Sequence, residues 1–176
     1  RTAADALPAG DVSFVQMRDV VDGASVDWAG VPRVELLGKR PVSWLGDGDI
    51  LFAARGSNNY ALALRNAPER AVCSPHFFVL RVSDKARIDP YFLAWQINQK
   101  PAQDYFRQSA TGSHIPNIRR SVLEGLEVAV PSVSKQRMIA DLWNAALEEK
   151  RQLNALLTNR QKQLDSVAAG ILTGRM

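Results

Sequence analysis

Arg55, Ser57, Asn58, Asn59 and Tyr60 fall within six residues, directly after an apolar run. A guanidinium gives two parallel hydrogen bonds to a guanine edge and a carboxamide does the same for adenine, so these are side chains suited to reading bases. A second group, Ser113, His114, Asn117, Arg119 and Arg120, lies in a stretch that also holds Thr111, Gly112 and Pro116. Its hydroxyl, imidazole and amide groups can meet phosphate oxygens while the two arginines neutralise the charge. Both groups have a plain alternative. Ser-Asn-Asn is ordinary solvated turn chemistry, and a Gly-Ser element can serve to shape a loop and dock the helix after it. Lys39 and Arg40 form a third basic pair, of a kind more often solvated than functional.

Catalytic arrangements fare badly by comparison. The sequence holds no Gly-rich phosphate loop, no paired-histidine metal motif and no Asn-Pro-Pro-aromatic signature of an adenine methyltransferase. Acidic pairs such as Asp47 with Asp49, or Glu148 with Glu149, lack a companion lysine in a strand context and make a poor nuclease. Cys73 has no basic neighbour except Arg70 and reads as a buried small side chain, not a nucleophile. His76 follows Pro75 beside an apolar strand and reads as packed or capping. A single cysteine excludes an internal disulfide, and with two histidines it cannot supply a four-ligand zinc site. No enzymatic activity, metal or cofactor is expected.

The elements that must hold the polar groups follow from periodicity and punctuation. Gly48-Asp49 places a turn ahead of Ile50-Leu51-Phe52-Ala53, and Gly56 ends the run, which predicts a buried strand delivering the first polar loop. Further short strands are expected at Phe14-Val15-Gln16-Met17, at Ser25-Val26-Asp27-Trp28 after the Gly23 turn, and at 77–82 after Pro75. Leu126, Val128 and Val130 alternate with Glu127 and Ala129, predicting a half-buried strand ended by Pro131. Asp89-Pro90 opens a helix, because Asp accepts from unpaired first-turn amides and Pro has its φ angle already set. Phe92, Leu93 and Ile97, with Trp95, supply its packed face. Pro101 interrupts, and a second helix over 102–108 carries Tyr105 and Phe106.

From Ser134 to about Gly170 the chain reads as one long polar helix. Ile139, Leu142, Ala146, Leu153, Leu156 and Val167 fall near a three-four spacing, with Leu157, Leu164 and Ile171 on a neighbouring heptad line. Glu149 and Arg160 occupy seam positions, so a regular zipper along the whole length is not expected; polar seam residues fix register and partner at some cost in stability. The plain alternative is an amphipathic helix folded back on its own domain. At roughly 50 Å end to end it would overshoot a head of this size, which favours a partner helix.

Length and composition suit this division. The 176 residues, 46% of them hydrophobic, can bury one ordinary core and still carry an appendage. Twenty-two Lys plus Arg against eighteen Asp plus Glu leave a net charge of +4, a mild excess whose distribution says more. Asp5, Asp11, Asp19, Asp22 and Asp27 against only Arg1 and Arg18 make residues 1 to 32 repel phosphate. Between Lys100 and Arg120 the balance reverses, with Lys100, Arg107, Arg119 and Arg120 opposed only by Asp104, a local basic side that suits a footprint. Apolar runs fall far short of the roughly 20 residues a membrane span needs, and no signal-peptide pattern opens the chain. A cytoplasmic location is expected. Because the chain opens on Arg1 in the middle of a fold, a further segment before it is expected as well.

The order of Gly48-Asp49-Ile50-Leu51, Arg55-Gly56, Ile88-Asp89-Pro90-Tyr91-Phe92-Leu93, Thr111-Gly112-Ser113 with Ile115-Pro116, Val130-Pro131, and Gln136 with Ile139-Ala140 resembles the specificity subunits of type I restriction-modification systems. Each motif is weak alone; their order and spacing together are specific, from about Val12 to Thr173. The resemblance implies an α+β fold, with a strand-rich globular target recognition domain over residues 1–133 and a long coiled-coil-type spacer or dimerisation helix over 134–176. It implies a non-catalytic subunit that reads one half of a split double-stranded DNA site and docks methyltransferase (modification) subunits, with a restriction subunit in the full complex. It further implies either a fragment or a half-length subunit forming a homodimer through antiparallel C-terminal helices. From the residues alone, two other classes stand beside this: a coiled-coil protein-interaction adaptor without DNA binding, and an endonuclease domain needing clustered carboxylates.

Overall fold

Ile50, Leu51, Phe52 and Ala53 are all fully buried, so the strand they form is covered on both faces and organises what surrounds it. The structure, a computed structural model, describes residues 7–36, 41–56, 59–109 and 117–172. In chain order the elements are β1 (Leu7–Val15), a 3-10 turn (Met17–Asp19), β2 (Val20–Val21), β3 (Ser25–Val26), β4 (Arg33–Glu35), β5 (Ile50–Ala53), β6 (Ala61–Ala63), β7 (Ala71–Cys73) and β8 (Phe77–Leu80). The helices α1 (Pro90–Ile97), α2 (Lys100–Ser109), α3 (Arg120–Glu124) and α4 (Val133–Leu172) follow. The architecture is α+β, strand-rich at first and ending in one long helix. The chain divides into two compact units, Arg1–Met138 and Ile139–Met176.

Among the described residues, three small sheets build the first unit. β1 lies between β4, antiparallel, and β7, parallel; β2 and β3 form a ribbon; and β5 lies between β6 and β8, antiparallel to both. Alternation along β5 sends its side chains into two cores. Ile50 and Phe52 join Ala94 and Ile97 of α1, Ala102 and Phe106 of α2, and Leu123 of α3. Leu51 and Ala53 join Val15, Leu62, Leu64, Ala71 and Phe77. Phe52 and Phe106 meet as tilted rings with centroids 5.0 Å apart. The register of β1 slips between Pro8 and Val12, and Gly10 sits at the slip because a Cβ there would lie 1.9 Å from the Val34 backbone.

Local signals explain the helices. Asp89 caps α1 by accepting from the amides of Tyr91 (2.9 Å) and Phe92 (3.1 Å), with Pro90 at the first helical position. Pro101 falls in the first turn of α2, where a missing N–H costs nothing, so it starts that helix after α1 has ended. Asp49 staples the turn before β5: its carboxylate accepts from the Gly46 amide at 3.1 Å and from the Arg81 guanidinium at 3.0 Å. One buried polar side chain stands out at the start of α4. Gln136, fully buried, accepts from the Asp89 amide (2.8 Å) and donates to the carbonyls of Arg87 (2.9 Å) and Pro131 (2.7 Å).

Two expectations from sequence are corrected. Residues 126–130 form no strand, and Val128 and Val130 are exposed. Their alternation gives a side-chain periodicity, but a strand also needs a neighbouring edge for its amides and carbonyls, and among the described residues none pairs with this segment. His76 is exposed, not packed: it lies in the turn between β7 and β8, and Phe77 carries the burial. Cys73 is half-buried, and burial pushes its thiol up to about 11, so it is held as the unreactive thiol. Among the described residues no helix is long and apolar enough to cross a membrane.

Candidate nucleic-acid interface

Arg55 of the first polar group and Asn117 of the second, some sixty residues apart in sequence, meet at the end of β5. Beyond Ala53 the ladder is continued by substitutes. Ala54 donates to the His76 carbonyl at 3.2 Å, as β8 would require, but its own carbonyl accepts from the Ile118 amide at 2.8 Å. Arg55 then forms an antiparallel bridge with Asn117. Residues paired in this way project to the same face, with Cβ atoms about 5 Å apart. Ile118 is fully buried in the core that holds Ala54, whereas its neighbours Asn117 and Arg119 are exposed. The alternation out-in-out anchors the segment through Ile118 and turns Arg55, Asn117 and Arg119 outward. Gly56, at φ +118°, takes the chain out of the strand immediately after Arg55.

Charge at this place is not uniform. Arg120 forms an ion pair with Glu124 at 2.7 Å along α3, and Lys100 and Arg107 share Asp104 at 2.6 and 2.9 Å along α2. Hydrogen bonding from Lys100, with the charge of Arg107 added, holds the Asp104 carboxyl below its ordinary value. The basic stretch expected over 100–120 is therefore only partly offset within its own helices, since Lys100 and Arg107 share one carboxylate. Arg55 and Arg119 have no acidic partner among the described residues.

The remaining candidates are distributed differently. Asn59 is half-buried and turns inward, its Nδ2 donating to the Ala53 carbonyl at 2.8 Å. Tyr60 is half-buried with its ring edge-on to Phe77 at 6.5 Å, and burial raises its hydroxyl pKa. Ser57, Asn58, Ser113 and His114, with Lys39, Arg40 and the Thr111-Gly112 element, lie outside the described residues. A residue not singled out from sequence, Asn98 at the end of α1, contributes to the same hairpin: its side-chain amide accepts from the Ala61 amide (2.8 Å) and donates to the Ala61 carbonyl (2.7 Å). Nothing in the local sequence marks Asn98, because its partner lies in another element.

In the second unit the stripe is solvent-facing. Leu142, Leu153, Leu156, Leu157, Leu164, Val167 and Ile171 are 54 to 72% exposed, Ala146 is exposed and Ile139 is half-buried. Glu148 and Arg151 pair at 2.6 Å on the polar side, and that hydrogen bonding brings the Glu148 carboxyl to about 2. Among the described residues there is no cluster of acidic, histidine or cysteine side chains able to hold a metal ion.

Residues 43–163, more than half of the chain, match the family described as the type I restriction modification DNA specificity domain. No curated protein sequence matches. Among solved structures, the chain is similar to the crystal structure of a type I restriction-modification system S subunit from M. genitalium, with 21% identity and a TM-score of 0.59. That likeness covers 96% of this chain and 40% of the M. genitalium chain, so the protein described here spans less than half of that subunit's length.

Proposed function

Because the chain belongs to the family of type I restriction-modification DNA specificity domains, which are non-catalytic, we propose that it reads one half of a split double-stranded DNA target. In this reading residues 1–133 are the target recognition domain and 134–176 the spacer helix. The face formed by Arg55, Asn117 and Arg119 meets the duplex, and Ser57, Asn58, Ser113 and His114, close to them in sequence, are further candidate contacts. Two copies pair through antiparallel C-terminal helices, methyltransferase subunits dock around them, and a restriction subunit completes the complex.

The observation that carries the reading is the Arg55–Asn117 bridge. It puts an arginine and an asparagine on one face of a backbone anchored by buried Ala54 and Ile118, and that rigidity is what base readout needs. Arg119, two residues along and without an acidic partner among the described residues, supplies a charge for phosphate. Arg120, already paired with Glu124, supplies less.

Binding to duplex DNA, followed by fluorescence anisotropy across a salt series, tests this. The logarithm of the association constant should fall steeply with the logarithm of salt concentration, and Arg119→Ala should flatten that slope by about 1. Arg55→Ala should cost a selected site about 1–3 kcal/mol while leaving binding to random duplex nearly unchanged. Arg120→Ala should do little. Absent or salt-insensitive binding by the assembled complex overturns the proposal.

A further inference from the structure

Two side-chain amides do the work of missing backbone at the base of the β5–β6 connection. In a regular antiparallel ladder Ala53 would exchange two hydrogen bonds with Tyr60. Its amide does donate to the Tyr60 carbonyl at 2.8 Å, but its carbonyl is satisfied by Asn59 Nδ2, also at 2.8 Å. On the outer side of β6, where a further strand would lie, Asn98 takes both the amide and the carbonyl of Ala61. A primary carboxamide presents a donor and an acceptor side by side, so one asparagine can mimic a strand residue at a single rung. The connection carrying Arg55 is thereby closed at its base by groups that contribute no strand of their own.

We propose that Asn59 and Asn98 are positioning residues for DNA readout, fixing the stem from which Arg55 projects, and that Asn59 acts through Arg55 without itself touching a base. The inference rests on the DNA-recognition reading above and reassigns one of its candidate contacts. The geometry is specific for an amide. Aspartate at either position would set a carboxylate oxygen against a carbonyl oxygen, and alanine would leave that carbonyl without its protein donor.

The test is a double-mutant cycle in the full chain, assembled with whatever subunits it needs to bind. Wild-type protein is first used to select a duplex from a randomised library, and preference is then measured as affinity for that duplex over a scrambled one. Arg55→Ala and Asn59→Ala should each lower the preference about tenfold, and the double variant should fall no further than either alone, because the two act as one unit. Asn59→Ala should melt a few degrees below wild type, because the buried Ala53 carbonyl loses its donor, yet stay fully folded at the assay temperature, which separates positioning from loss of fold. An additive, hundredfold fall in the double variant would mean that Asn59 reads DNA directly, and an unchanged preference in Asn59→Ala would mean that it does neither; both overturn the inference. If wild-type protein selects no sequence, the DNA reading fails, and hydrogen exchange decides the stem alone. Faster exchange at the Ala53 amide in Asn59→Ala and at the Ala61 amide in Asn98→Ala supports the clamp, and unchanged exchange in both variants overturns it.

Discussion

Replacing Gln136 with leucine should lower the free energy of unfolding by about 3 kcal/mol, seen as a fall in melting temperature of roughly 6–12 °C for a chain of this size. The side chain is fully buried and its three hydrogen bonds all end on backbone: the Asp89 amide, the Arg87 carbonyl and the Pro131 carbonyl. Leucine fills a similar volume, so the effect isolates the polar groups left behind and not a cavity. Each unsatisfied group costs about 1–3 kcal/mol, and water entering the half-buried segments recovers part of the sum. The damage should be focused, because Asp89 also caps α1 and its amide would lose its partner.

Gln136→Glu sharpens the test through pH. It keeps the acceptor for Asp89 but turns a carboxylate toward two carbonyls, so burial should raise the folded-state pKa of the new acid above its unfolded value near 4.3. A raised folded pKa means that the native state holds the proton longer. The variant should therefore be closest to wild type at or below about pH 4, and should lose stability as pH rises through the folded pKa. A leucine variant melting within a degree of wild type would show that these three bonds hold nothing together.

Leu153→Lys combined with Leu157→Lys should abolish self-association, raising the dissociation constant by more than about a thousandfold. Two leucine side chains buried against a partner helix contribute about 1.5–3 kcal/mol each, and their replacements would have to desolvate two charges at the same seam. Both positions are exposed within the chain, so the first unit should keep its melting profile and tryptophan emission. Sedimentation analysis reads the outcome. Unchanged sedimentation of the variant, or a wild-type chain that is monomeric at tens of micromolar, would remove the paired-helix spacer from the proposal.

How much was legible in advance depended on the range of the interactions. Asp89-Pro90 and the apolar run Ile50–Ala53 declare themselves within a few residues, since capping and strand burial are set by neighbours in sequence. The long helix is legible because its pattern repeats. The strand expected over 126–130 failed because alternation says nothing about whether an edge is free to receive it. His76 was misplaced for a related reason: adjacency to an apolar strand does not decide which way a turn residue points. The bridge between Arg55 and Asn117 joins two loops that sequence showed only as separate polar groups. Asn98 was invisible, and Gln136 was marked only by its place in a motif; an exposed and a buried carboxamide look alike until the chain has closed round them.

The pairing of Asn98 with Ala61 also bears on how the protein keeps to itself in a crowded cell. β6 is the outer strand of its sheet and is only three residues long, Ala61–Ala63, all of them apolar. Cross-chain strand addition begins where an amide and a carbonyl stand open together, and on this strand the Ala61 pair is already occupied by the end of α1. A plugged rung of this kind closes that part of the β6 edge to an incoming strand.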